Sequence, residues 1–413
     1  MSSALSRASD ASKRSAAEVG TVASSRTILF VIPWDVEALG GVNQVVLNLI
    51  RQTKQSDSFR GVLIENHWGK RGVSAVAATG EPIVRMRLLS PCSSSHPMWA
   101  LLRFFGELPA SLYRLHRIVR ANRVAMVNVH YPSPAALHFS ILRLLNAYKG
   151  SFVLSVHGQD VASAARSNGF KRLCWQSLFR RADKIVACSG ALAREVLAFD
   201  PALAPRVTVI HNGIDRQAME DGRDRSFTLP ELDATPYILN IGTFEQKKGQ
   251  DVLIEAFLRL ADDFPQHRLV LVGRSGETVA GLRRQIKEHA LEDRVLLYED
   301  VPHRHVAAFL ERASLFCLPS RIEPFGIVLL EAGLFNVPIV ATRVGGVTEV
   351  IEDGVHGRLV AADEPEALAS AMREILSDPE ARVRYARNFR SRVLEEFTWD
   401  RAFNEYAALV DER

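Results

Sequence analysis

Short apolar runs, each followed by an amphipathic stretch of ten or more residues, recur along this chain, and that alternation limits its fold more than any other feature. A parallel strand covered on both faces reads as a continuous apolar run, and reaching the next parallel strand takes a crossover, usually a helix. A first series comprises Ile28 to Ile32, Ala125 to Val129, Phe152 to Val156, Lys184 to Ala187 and Val207 to Ile210. A second comprises Tyr237 to Ile241, Leu269 to Val272, Val295 to Tyr298, Leu315 to Leu318 and Ile339 to Ala341. The polar stretch Asp215 to Thr235, with Gly222 and Pro230 and no clear period, separates them. The expected fold class is therefore α/β, with two facing Rossmann-like domains and a cleft between them at the carboxyl ends of the strands. A length of 413 residues suits two such cores. Residues 1–25, rich in Ser and Ala, carry no sustained apolar period and are expected to form a disordered tail. The two domains are expected at 26–215 and 216–397.

Charge is uneven. Residues 1–220 hold 27 Lys+Arg against 14 Asp+Glu, a balance of +13, and the remainder holds 24 against 33, or −9. A basic half is drawn to anionic surfaces or substrates, and a peripheral membrane contact is expected from it. Residues His96 to Val124 fit that reading, interleaving Trp99, Phe104, Phe105 and Tyr113 with five arginines. No nucleic-acid recognition motif accompanies them. No apolar run has the length of a membrane span and no secretory signal is present, so a cytoplasmic protein is expected, peripheral at most to the inner face of the membrane. Cys92, Cys174, Cys188 and Cys317 form no C-x-x-C pair and read as reduced thiols.

The segment Pro319 to Ala332 runs from a strand through a Pro/Gly loop into a helix. Gly326 lets the backbone approach a ligand, and the amides near Gly326, Ile327 and Val328 make a helix start suited to an anion. Glu331 falls about five residues into that helix, roughly 7.5 Å along its axis, while Glu323 stays in the loop. The two carboxylates bracket a phosphate position, a spacing that suits sugar hydroxyls on one side and ribose hydroxyls on the other; the alternative is a solvated Glu323 and a Glu331 that caps or pairs locally.

Glu323-x7-Glu331 resembles the signature of retaining glycosyltransferases of family four, a resemblance that runs from about Ile28 to the chain's end. Val209 to Asp215, Asn240 to Gly249, Leu271 to Arg274 and Pro338 to Glu349 resemble that family's other motifs in the same order. The resemblance implies the two-domain GT-B fold, with acceptor on the first half, nucleotide-sugar on the second, and a last helix, here 398–413, packed back on the first domain. It implies that Glu323 contacts donor-sugar hydroxyls, Glu331 the ribose, the amides after Gly326 the distal phosphate or sugar, and His157 the sugar near the reacting carbon. Lys248 would neutralise the diphosphate leaving group, which also makes physical sense because bond cleavage builds negative charge there.

Gly40 and Gly41 correspond to the family's glycine pair, and Asp160 completes the pattern after His157, although a helix cap explains it equally well. Asn212-Gly213 reads as a turn at the domain junction. Gly345-Gly346 would shape the nucleotide pocket, and Arg343 and Glu349 are secondary, Glu349 by favouring a helix start. Thr243 after Gly242 departs from an arginine common in the family: either Lys247 or Arg274 compensates, or the chain resembles the branch with threonine there. Glu299 stands where a glycine often precedes the base-binding backbone.

The activity implied is transfer of a hexosyl unit from a UDP- or GDP-sugar to a sugar or lipid-linked hydroxyl, with retention, in polysaccharide or glycolipid assembly. No Asp-x-Asp motif is present, and the resemblance implies neither metal nor cofactor. The rival readings are a nucleotide-sugar epimerase or hydrolase, and a non-catalytic nucleotide-sugar-binding protein.

Overall fold

The structure, a computed structural model, describes residues 25–36, 40–66, 73–76, 82–92, 96–221, 224, 226–232 and 235–410. The expected tail lies outside the described residues but for Ser25. Two sheets organise the chain. The first runs β3-β4-β2-β1-β5-β6-β7-β8, built from β1 (Arg26–Ile32), β2 (Phe59–Asn66), β3 (Val73–Val76), β4 (Pro82–Met86), β5 (Val124–His130), β6 (Ser151–Val156), β7 (Lys184–Ala187) and β8 (Val207–Val209). The second runs β11-β10-β9-β12-β13-β14, built from β9 (Tyr237–Ile241), β10 (Arg268–Gly273), β11 (Val295–Glu299), β12 (Leu315–Leu318), β13 (Ile339–Thr342) and β14 (Arg358–Val360). Pairing is parallel throughout except between β3 and β4.

Both expected series are present, and the strand order of the second sheet is the doubly wound one. Four further strands, β2, β3, β4 and β14, carry no run in the sequence reading. β2 explains why: the sequence Phe59-Arg-Gly-Val-Leu-Ile-Glu-Asn66 mixes charge into a strand whose Glu65 is nevertheless fully buried. Glu65 Oε2 takes Arg85 Nε of β4 at 2.7 Å, and Oε1 accepts the Val36 amide at 3.0 Å, so a paired charge substitutes for an apolar side chain.

Alternate residues of β1 feed opposite layers. Leu29 and Val31 join a large core that continues through Ile214, Phe325 and Phe397 into the second half, whereas Ile28, Phe30 and Ile32 join the closing segment. There the helix Trp399–Ala408 buries Trp399, Phe403 and Tyr406 on the first sheet, with Phe403 edge-on to Phe59 at 5.8 Å. The chain thus crosses between halves twice, and the crossings touch where the Ile214 amide donates to Phe397 O at 2.9 Å.

In the second sheet the order reverses between β9 and β12, and in the first between β1 and β5. The loops Gly242–Gly249 and Pro319–Gly326 leave the carboxyl ends of β9 and β12, which places them at the crevice where doubly wound sheets hold ligands.

Candidate active site

Lys248 ends a 3-10 turn, Gln246–Lys248, and Gly249 follows at φ 67°. A Cβ at Gly249 would sit 2.1 Å from Pro319 O, so only glycine lets this turn lie flush against the β12 loop. The Arg321 and Ile322 amides then donate to Lys247 O at 2.8 and 3.2 Å, and the Arg321 side chain spans Gln246 O, Asp251 and Asp363. This bracing holds Lys248 Nζ 2.6 Å from Glu323 Oε2, which also accepts from Ser320 Oγ at 3.2 Å. Glu323, only 7% exposed, is a buried partner of Lys248 and not a solvated loop carboxylate.

Gly326, at φ 95°, turns the chain into the helix Ile327–Leu334. Ile327 and Val328 occupy its first turn, whose amides have no intrahelical acceptor. Across the cleft, Gly41 opens the helix Gly41–Gln55, and a Cβ there would lie 3.9 Å from Ile327 Cδ1, while Gly40 has open space beside it. Sequence-distant glycines of one half therefore face the helix start of the other. Glu331 is buried one turn deeper and takes His303 Nε2 at 2.8 Å. Burial alone would lower the His303 pKa, but the charge of Glu331 and its hydrogen bond raise it above the ordinary value. A pocket of about 210 Å³ opens beside this pair, lined by Gln44, Asn48 and Arg51 of the first half and by His303, Ile327 and Glu331 of the second.

His157 follows β6 and stacks on His130 at the end of β5, with ring centroids 5.4 Å apart and Nε2 3.2 Å from His130 Nδ1. Burial lowers the pKa of His157 to about 4 and drives that of His130 well down, helped by its neighbour. Both imidazoles are neutral near neutrality, and His130, fully buried, lies behind His157. Asp160 corrects its assignment to the donor. Its carboxylate is buried and occupied by the His157, Gly158 and Val161 amides at 2.8–3.1 Å, so it holds the turn that presents His157. Burial lifts its pKa to about 7 against those amide bonds.

Gly242 ends β9 against the Lys248 stem, with a Cβ there 3.7 Å from Lys248 Cδ, and Thr243 O accepts from Gln250 Nε2 at 3.3 Å. Lys247 and Arg274 are not brought to the Lys248 site. Both lean on Glu245, with Lys247 Nζ at 2.5 Å and Arg274 Nη2 at 3.9 Å. Glu299 is taken up by Ser275 and Arg283. Among the described residues no group of three or more His, Cys, Asp or Glu side chains could hold a metal.

Glu349 does more than its sequence position suggests. Its oxygens accept the Gly190 and Ala191 amides at 2.8 and 2.9 Å, at the start of the helix Gly190–Phe199 in the first half, and His211 Nε2 at 3.1 Å. Ser189 Oγ donates to Pro324 O at 2.7 Å beside it. The second half thus caps a helix of the first, across the cleft's seam. His130, His303 and Arg321 went unread as well. The signal for His130 was present: like His157, it is a polar residue closing an apolar strand.

Known sequence families match both halves of the chain. The sequence profile described as Glycosyltransferase Family 4 matches residues 39–218, and that described as Glycosyl transferases group 1 matches residues 223–392. The chain belongs to this glycosyltransferase family. Within the family it is 34% identical over 223 residues to a protein named glycogen synthase from Mycobacterium tuberculosis, covering 54% of this chain and 52% of that one. It is 33% identical over 252 residues to alpha-maltose-1-phosphate synthase of Mycolicibacterium smegmatis, covering 56% and 64%. The matches thus span about half to two thirds of the length of these relatives. In fold, this family member resembles Anabaena Alr3699/HepE, solved in complex with UDP and glucose, with TM-score 0.73, 19% identity, and coverage of 94% of this chain and 100% of that one. Sucrose-phosphate synthase from Thermosynechococcus elongatus gives TM-score 0.72 at 22% identity, covering 94% and 99%.

Proposed function

We propose that the chain transfers a hexosyl unit from a UDP- or GDP-sugar to a hydroxyl acceptor, retaining the anomeric configuration, in the assembly of cell-surface polysaccharide or glycolipid. The observation that carries the reading is the Lys248–Glu323 pair, 2.6 Å apart, beside the open first turn of the helix Ile327–Leu334. A lysine held at a helix start is a receptor for a pyrophosphate, and a carboxylate on that lysine suits the hydroxyls of an attached sugar. The relatives named glycogen synthase and alpha-maltose-1-phosphate synthase, and a similar fold crystallised with UDP and glucose, favour a nucleotide-linked hexose.

In this mechanism the bond between the anomeric carbon and the diphosphate oxygen breaks, and the electron pair leaves with the nucleoside diphosphate. Lys248 and the Ile327 and Val328 amides offset the charge that develops on it. The acceptor oxygen bonds to the same face of the anomeric carbon, and its proton passes to the departing phosphate. Glu323 orients the sugar hydroxyls, Glu331 holds the ribose, and neutral His157 hydrogen-bonds the sugar. The acceptor is a hydroxyl on a lipid-linked saccharide presented at a membrane surface.

The test incubates the full chain with UDP- and GDP-hexoses, with and without a membrane lipid extract, and follows nucleoside diphosphate release and the anomeric configuration of the product. Release that needs the extract and yields a retained glycoside is expected. Equal release without acceptor would establish the hydrolase, an isomeric nucleotide-sugar without release the epimerase, and donor binding with the donor unchanged the non-catalytic protein.

A further inference from the structure

The helix Pro97–Ala121 packs on the first half through Phe104, Ser111, Leu115 and Val119. Its opposite face is also apolar in the first three turns. Met98 and Trp99 are 68% exposed, Leu102 57% and Phe105 59%, and positions 98, 102 and 105 repeat at the spacing of one helical face. Such side chains normally face a core, and a contiguous patch of them on a surface marks something that covers it.

A second helix adds to the patch. Gly169–Arg181 leaves Phe170 52% and Leu173 62% exposed in its own first turns. The first helix leads from β4 into β5, and Gly169–Arg181 lies on the connection from β6 to β7. In a parallel sheet each such connection departs from the carboxyl edge, so both apolar starts lie on the cleft side of the first half. They are also brought together by a third helix, Leu137–Leu144, on which both pack.

Charge indicates the occupant. The first helix carries four arginines and a single acid, Glu107, which pairs with Arg87; the second carries Lys171, Arg172, Arg180 and Arg181 and no acid. A protein partner of mixed charge finds little to match there, whereas an anionic bilayer attracts each exposed cation while its acyl boundary takes the aromatics.

We propose that Met98, Trp99, Leu102 and Phe105, together with Phe170 and Leu173, insert into the surface of an anionic bilayer and hold the mouth of the cleft against it. The inference rests on the reading above, in which the acceptor is lipid-linked, and it identifies the surface that meets that lipid. Docking on this edge brings a headgroup hydroxyl to the carboxyl ends of the strands without lifting the acceptor from the membrane.

The test is flotation of the full chain with vesicles of phosphatidylcholine alone or mixed with phosphatidylglycerol, at low and high salt. Wild type is expected to float with the mixed vesicles, less so in salt, and poorly with phosphatidylcholine alone. Trp99→Ser/Leu102→Ser/Phe105→Ser is expected to lose at least about tenfold in partitioning, and Phe170→Ser/Leu173→Ser to lose less, because each buried apolar group contributes to insertion. These positions are exposed, so UDP binding by calorimetry and the thermal midpoint should not change. Wild type that fails to float, a triple variant that floats equally well, or a dimer abolished by the triple variant in place of flotation would each overturn the proposal. Transfer to detergent-dispersed lipid without flotation would sink this surface and leave the transfer reading standing. Flotation without transfer would do the reverse.

Discussion

The two walls of the cleft each contain a histidine, and the protein tunes them in opposite directions. His303 in the second half is drawn toward its charged form by Glu331, whereas His157 in the first is kept neutral by burial, stacked on an equally neutral His130. The second wall is built of ion pairs, Lys248 with Glu323 and His303 with Glu331; the first presents an imidazole on a turn whose nearby carboxylate, Asp160, is spent on backbone amides. The difference suits the roles proposed above for the two walls. A site for a diphosphate needs fixed cations, and a cation in a partly buried site needs a partner while the ligand is absent. A wall that meets sugar hydroxyls needs only neutral donors and acceptors.

The sharpest way to break that comparison is to remove charge from the second wall. Lys248→Ala and Glu323→Gln are each expected to lower kcat by at least about a hundredfold, since each removes an interaction aimed at a charged or developing-charge centre. Lys248→Ala also leaves Glu323 buried without its cation, which costs stability of about 3 kcal/mol or more. Lys248→Met/Glu323→Gln separates the two effects: stability should recover in urea titrations while turnover does not. Near-normal turnover in the double variant would mean that the pair is structural. Gly249→Ala should act in the same direction but less strongly. The new methyl would meet Pro319 O at 2.1 Å, so the turn carrying Lys248 must shift, and displacement of an ångström at a positioned group costs up to about a hundredfold.

Next in size is the seam that sets the walls facing one another. Glu349→Ala strips the Gly190 and Ala191 amides and His211 of their acceptor. Partly buried donors left without acceptors cost about 1–3 kcal/mol, so the urea midpoint should fall. Limited proteolysis at the domain junction should also quicken, because Ser189 to Pro324 O remains beside the lost contacts and cannot replace them. Unchanged stability and unchanged cleavage would show that the seam does not depend on Glu349.

The second wall was more legible in the sequence than the first, for a physical reason. Glu323, Gly326 and Glu331 lie on one loop and the helix it enters, so spacing along the chain nearly equals arrangement in space, and Lys248 comes from the loop of the adjacent strand. Glu349 was readable as a residue near a helix start, but the start it caps belongs to another helix, some 160 positions earlier, and no local period reports that. His130 stacks on His157 from the neighbouring strand, a contact set by sheet order alone. In the fold, central strands such as β1 are apolar throughout and easy to read, whereas β2 hides because Arg85 and the Val36 amide satisfy its buried Glu65. Lys247 and Arg274 both lie beside Glu245, at 2.5 and 3.9 Å, a neighbour that their sequence position does not report for Arg274.

The smallest expected effect bears directly on the two histidines. The folded-state pKa of His303 is raised above its ordinary 6.5, so its contribution to stability is fully present below that value and fades as pH rises through the folded pKa. His157 has the opposite sign. Its folded pKa is lowered to about 4, so between 6.5 and about 4 the unfolded chain takes up a proton that the folded chain refuses, and stability falls as the solution is acidified. Both rings are partly buried, and at neutral pH the effect of His157 is nearly absent, growing only as the solution is acidified below 6.5. Thermal midpoints of His157→Gln should therefore decline less steeply than wild type on the acid side, with His130 retaining part of the slope. Those of His303→Gln should lose the advantage that wild type gains at mildly acidic pH. Curves for both variants that run parallel to wild type would mean that the two rings titrate alike, and the contrast between a charged wall and a neutral one would fail.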